Sequence, residues 1–75
     1  MNIKERVIRI LQKLSGFDDI CEQDTLQGNI ALDSLSMVTL LINVEDEFGI
    51  TLNESDMNPF DLRTVADIIA LVKKY

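Results

Sequence analysis

Ser34 follows Asp33 and precedes an apolar run that begins at Leu35, and this is the one place in the chain where a hydroxyl is set up for chemistry. Three readings compete there. A hydrolytic serine needs a base, but the sequence has no histidine, no Gly-x-Ser-x-Gly elbow and no evident lysine partner for Ser34. A helix cap needs only a side-chain oxygen at the end of an apolar segment, and Asp33 or Ser34 supplies one. A covalently modified serine is the third reading, and the residues alone rank it below the cap. The single cysteine, Cys21, cannot close an internal disulfide and has no histidine to activate it, so a partly buried structural thiol in a reducing cytosol is expected. No acidic cluster has metal-ligand spacing, since the loops lack the alternating ligands and sixth-position glycine of a calcium hand.

The elements that position Ser34 read as helices. Ile3, Val7, Ile10, Leu11 and Leu14 fall on one stripe with Arg6, Arg9 and Lys13 outside it. Asn2 with Glu5 gives a box-like start, and Ser15-Gly16 a stop. Residues 17–32 lack a period and predict a long, partly packed loop. A second helix runs from Asp33-Ser34 to Phe48, with Gly49 as its stop. Residues 50–57 read as a loop, and Asn58-Pro59 opens a short helical turn through Leu62. The last helix spans about Val65 to Lys74, with Thr64 and Asp67 as a capping box and Val65, Ile68, Ile69 and Val72 as the buried stripe. The fold expected is all-α: a small irregular four-helix bundle of three main helices and one short third helix, in one domain over residues 1–75.

The second helix carries more apolar surface than one core contact needs. With Ser34 at zero and about 100° per residue, Met37, Leu40, Leu41, Val44 and Phe48 fill one arc, and Leu35, Val38 and Ile42 a second. Either both arcs are core, which spacing alone slightly favours, or the second is an exposed docking patch ringed by Glu45 and Asp46. Glu45, near the border of the two arcs, opposes burying both completely.

Charge narrows the partners. Residues 1–14 carry Lys4, Arg6, Arg9 and Lys13 against Glu5, whereas residues 15–62 hold eleven acids and no Lys or Arg. That long acidic middle excludes nucleic acid as a partner and suits fast docking on basic protein surfaces. The first turns mix charge with apolar residues, so neither a signal peptide nor a membrane span is expected.

The run Leu32-Asp33-Ser34-Leu35-Ser36-Met37-Val38, with Glu45-Asp46-Glu47-Phe48-Gly49-Ile50 at its far end, closely resembles the acyl carrier protein family, which includes aminoacyl and peptidyl carriers. The stretch from Ser55 through Ala66 is also similar to the family's segment around its short third helix. The resemblance covers nearly the whole chain. It implies a non-catalytic carrier whose Ser34, flanked by Asp33 and Leu35, is esterified by 4′-phosphopantetheine from coenzyme A through a separate phosphopantetheinyl transferase. The arm's thiol then holds cargo as a thioester. Leu35, Val38, Ile42, Glu45 and Asp46 are the implied docking residues for basic acyl- or aminoacyl-loading and processing enzymes. A cytoplasmic monomer working in fatty acid or polyketide-type synthesis ranks ahead of an aminoacyl or peptidyl carrier of nonribosomal-peptide type, and both ahead of an unmodified helical interaction module. Departures from the family pattern lie at Ala31, where glycine is frequent, at Thr39, where an acid is frequent, and at Ser36, and they bear on which partners dock.

Overall fold

Side-chain chemistry at the ends of each apolar segment sets the helix boundaries. A computed structural model describes residues 2–58 and 60–75. Helix α1 is Ile3–Ser15, α2 is Ser34–Phe48 and α3 is Val65–Lys73. Asn2 caps α1 by accepting the Glu5 N–H at 2.8 Å, and Gly16 closes it at φ 80°, a conformation that costs a residue with a Cβ. Gly49 closes α2 in the same way at φ 64°. The Thr64–Asp67 box at α3 is complete: Thr64 Oγ1 accepts the Asp67 N–H, and Asp67 Oδ2 accepts both the Thr64 and Arg63 N–H groups.

The last turn of α2 carries acids and no base, an arrangement its dipole disfavours. Arg6 of α1 makes up for it. Its Nη2 donates to the Glu47 carbonyl at 2.7 Å, its Nε to the Glu47 carboxylate at 2.8 Å, and its guanidinium lies 4.4 Å from the centre of the Phe48 ring.

Helix α1 packs against both α2 and α3, and Val7, Leu11, Leu40, Val44, Val65 and Ile68 close the core between them. The loop over 17–32 joins that core through Ile20, Leu26, Ile30 and Leu32. Its backbone also serves α3, whose first-turn N–H groups have no acceptors within the helix. Val65 donates to the Asp24 carbonyl at 3.1 Å and Ala66 to that of Glu22 at 3.0 Å, while Arg63 returns its own carbonyl to the Leu26 N–H at 2.8 Å. An isolated antiparallel bridge, Thr25 to Thr64, marks this seam.

Two expectations need correction. The short third helix is one 3-10 turn at Glu54–Asp56, within the stretch read as loop. At the site expected for it, Asn58 takes the Phe60 N–H on its side chain and the Asp61 N–H on its carbonyl, closing a turn; the proline of the expected cap, Pro59, lies outside the described residues. Cys21 is exposed, because its loop turns inward on Ile20 and uses the Cys21 N–H to reach the Asp24 carboxylate at 2.9 Å. Among the described residues no helix is long and apolar enough to cross a membrane.

Three aspartates make the fold acid-sensitive. Hydrogen bonds from the Ser36 N–H to Asp33, from Lys74 and Tyr75 to Asp56, and from the Thr64 and Arg63 N–H groups to Asp67 hold each carboxyl below the ordinary 3.8. A carboxyl whose folded value is depressed stabilises the fold fully above its unfolded value and loses that contribution as pH falls through the folded one. Thermal midpoints are therefore expected to stay level from neutral pH down to about 5 and to fall below about 4, with Asp67→Ala flattening the fall.

Candidate functional site

Ser34 occupies the first position of α2 and is exposed. Asp33 behind it accepts the Ser36 N–H at 2.7 Å, which ties down one free donor of the helix end and aims the first turn. The same bond, with further ones to Ser36 and Leu35, keeps the Asp33 carboxyl ionised. It therefore acts as a cap and is a poor proton acceptor. The hydroxyl and the backbone N–H groups of a helix N-terminus together suit an attached phosphate, whose charge meets the positive end of the dipole.

The two apolar arcs of α2 part company. Met37, Leu40, Leu41 and Val44 are buried, whereas Leu35, Val38 and Ile42 are 75%, 53% and 51% exposed. The arrangement with both arcs in the core is thus excluded: among the described residues no element covers the second arc, which runs as an apolar strip down the helix from Ser34. Asp46 is exposed beyond the end of this strip. Glu45 is half-buried and already engaged, its Oε2 accepting the Leu52 N–H at 2.8 Å. Asp33, Ser34 and Leu35 thus meet at one tip, Val38 and Ile42 follow, and Glu45 serves the fold.

Beside Ser34 lies a cleft of about 230 Å³ lined by Gln27, Ser34, Met37, Val38, Leu41 and Met57. Sequence reading missed Gln27 and Met57, which sit in aperiodic loops and carry no signal of their own. Gln27 is held by a knot in which Thr25 Oγ1 accepts the Asn29 N–H and the Asn29 side-chain oxygen accepts the Thr25 N–H, each at 2.9 Å. A Cβ at Gly28 would stand 2.4 Å from Thr25 Oγ1, so the knot requires glycine there. Phe60, 84% exposed, is a further apolar surface group that spacing did not single out. Among the described residues no cluster of His, Cys, Asp or Glu could hold a metal.

Residues 5–72 match the model of the family described as "Phosphopantetheine attachment site". The chain belongs to the phosphopantetheine-bearing carrier proteins. Its relatives include the meromycolate extension acyl carrier protein of Mycobacterium tuberculosis, 29% identical over 70 residues, or 91% of this chain and 59% of the relative. They also include the acyl carrier protein of Rhodococcus erythropolis, 29% identical over 88% of this chain and 72% of the relative. The D-alanyl carrier protein of Enterococcus faecalis is 37% identical over 77% of each. The carrier spans about 59% of the length of the first of these relatives, the meromycolate extension acyl carrier proteins of Mycobacterium bovis and Mycobacterium tuberculosis. Carriers of this family are generally non-catalytic and bear 4′-phosphopantetheine as their covalent cofactor, and the exposed hydroxyl, cap and adjoining cleft of this carrier fit that group.

Ala31, two residues before Asp33, has φ 62°, the only positive φ among the described residues other than glycine. The left-handed region costs an alanine roughly 1–2 kcal/mol. Glycine would remove that cost and give back about 0.5–1 kcal/mol through its freer unfolded chain. Ala31→Gly is expected to raise the denaturation midpoint by the equivalent of about 0.5–1 kcal/mol, measured by urea titration.

Proposed function

We propose that Ser34 Oγ carries the phosphopantetheine arm and that the carrier holds acyl intermediates on it as thioesters, as a cytoplasmic monomer in fatty acid or polyketide-type synthesis. The observation that carries this reading is the exposed Ser34 at the capped tip of α2, with an uncovered apolar strip leading away from it. In loading, the Ser34 Oγ–phosphorus bond forms as the bond to the nucleotide phosphate of coenzyme A breaks. The hydroxyl proton must leave to the transferase, because Asp33 is committed to its cap and the chain has no histidine. Leu35, Val38 and Ile42, with Asp46 at the far end, form the face offered to basic partners, and tethering gives each partner a high effective concentration of cargo. Glu45 contributes by anchoring Leu52 at the edge of that face.

A second reading, an aminoacyl cargo, is favoured by the 37% identity to a D-alanyl carrier over 77% of both chains. Both readings share the arm and differ in the enzyme that loads it. The test is an intact mass after incubation with coenzyme A and a phosphopantetheinyl transferase, followed by peptide mapping. One added arm, mapped to Ser34, is the expected result. No gain with several transferases, together with tight protein binding by the unmodified chain, would point to the interaction module instead. Presenting the loaded form to acyl-transferring and adenylating enzymes then separates the two cargo classes.

A further inference from the structure

We infer that Asp56 is a positioning residue for the cleft beside Ser34: clamped by Lys74 and Tyr75 at the end of α3, it holds Met57 as the movable wall of the cleft and so sets how large a cargo the bundle shelters. This rests on the reading of Ser34 as the arm-bearing residue.

The two sides of the cleft are built differently. One is α2 itself, from which Met37, Val38 and Leu41 project out of a capped helix seated on the core. Opposite it stand Gln27, fixed by its own loop, and Met57, which follows a single 3-10 turn. That turn has two weak local bonds, Asp56 N–H to the Asn53 carbonyl at 3.0 Å and Met57 N–H to the Glu54 carbonyl at 3.1 Å. Three residues of 3-10 structure do not hold a position unaided.

Met57 packs part-buried against the core, and the external polar ties of the turn centre on Asp56 and Tyr75. Lys74 Nζ pairs with Oδ1 and the Tyr75 hydroxyl with Oδ2, so each carboxylate oxygen has its own partner. Tyr75 Oη also accepts the Asn53 N–H at 2.9 Å, closing a ring of bonds around the turn. The Asp56 side chain is only 12% exposed, although Lys74 remains 63% exposed. A carboxylate this sheltered must stay paired or swing out to water, and swinging out carries the adjacent Met57 with it. The same contacts hold the Asp56 carboxyl below its usual range, Lys74 contributing most and Tyr75 next.

With the clamp closed, the cleft of about 230 Å³ is half again as large as the ~150 Å³ cavity that accepts a benzene. A short acyl group fits; a long one needs the Met57 wall withdrawn. Methionine suits such a wall, being unbranched and adaptable.

Tyr75→Phe removes the hydroxyl that bonds Asp56 and Asn53 while keeping the ring, and Asp56→Asn removes the charge that holds Lys74. In the unmodified protein both are expected to speed amide hydrogen exchange at residues 53–57 about tenfold and to leave α1 unchanged. In the arm-bearing protein charged with acyl groups from acetyl to dodecanoyl, thioester hydrolysis is the second readout. The wild type is expected to protect short chains more than long ones. The two clamp variants flatten that dependence, and Met57→Ala, with its clamp intact, shifts protection toward longer chains. Unchanged exchange at 53–57 in both clamp variants overturns the inference, and so does a length profile indifferent to all three substitutions. The exchange measurement needs no arm, so failure of Ser34 to accept one would sink the functional reading while leaving the clamp intact. An arm added normally without a length dependence would sink the wall's role alone.

Discussion

Ser34→Ala is expected to reduce arm addition from one per chain to none, with the helical circular dichroism and the denaturation midpoint close to those of the wild type. The all-or-none size of the effect follows from the proposed chemistry, in which the Ser34 hydroxyl is the atom that becomes esterified. Ser36, the nearest other hydroxyl in sequence, is half-buried and two residues further into the helix, where its N–H is held by Asp33. The small cost to the fold follows from position, since Ser34 is exposed and the cap is supplied by Asp33. Asp33→Ala is the matching control. It should lower the denaturation midpoint through the lost cap yet leave the acceptor oxygen in place. Intact mass and urea titration on the two variants thus separate losing the acceptor from loosening its support. Arm addition to Ser34→Ala at the wild-type level would remove Ser34 from the proposal.

Cap chemistry was legible in the sequence because it is local. Asn2, Asp33 and Thr64 each accept the N–H of the residue three positions on, and Gly16 and Gly49 each take a positive φ where the apolar stripe ends. The wide apolar girth of α2 was legible, but its division was not. Whether Val38 and Ile42 are core depends on what packs over them, and α1, α3 and the 17–32 loop all pack elsewhere. The 3-10 turn at Glu54–Asp56 escaped for a related reason. Its main fastenings, Lys74 and Tyr75, lie about twenty residues away in sequence, whereas Asn58 offered a local capping signal that the chain uses only for a turn. Cys21 followed no local rule: thiols are usually buried, and here the inward side of the loop was already taken by Ile20. Met57 and Gln27 became site residues through loop placement, which neither periodicity nor turn chemistry encodes.

The same substitution made nine residues apart should produce opposite phenotypes. Leu26 is fully buried, and its N–H bonds the Arg63 carbonyl while its own carbonyl accepts the Leu32 N–H at 2.8 Å, so it pins the 17–32 loop to the start of α3. Leu26→Ala removes three buried carbons and leaves a cavity at that junction, a loss of about 2.7–5 kcal/mol. A chain of this size has in all about 4–11 kcal/mol of stability, so the variant is expected to be largely unfolded at physiological temperature or to melt far below the wild type. Leu35, by contrast, is 75% exposed, and Leu35→Ala should leave stability within about 0.5 kcal/mol. On the proposed reading its cost appears on docking, where the side chain would go from water to a partner's apolar socket. Truncating a central apolar contact costs more than about 1 kcal/mol, so kcat/KM for arm addition by the transferase is expected to fall about tenfold. Thermal melts and transferase kinetics on both variants decide the matter. A Leu35→Ala protein that melts early, or one that is loaded at the wild-type rate, would mean that the exposed strip on α2 belongs to the fold and not to its partners.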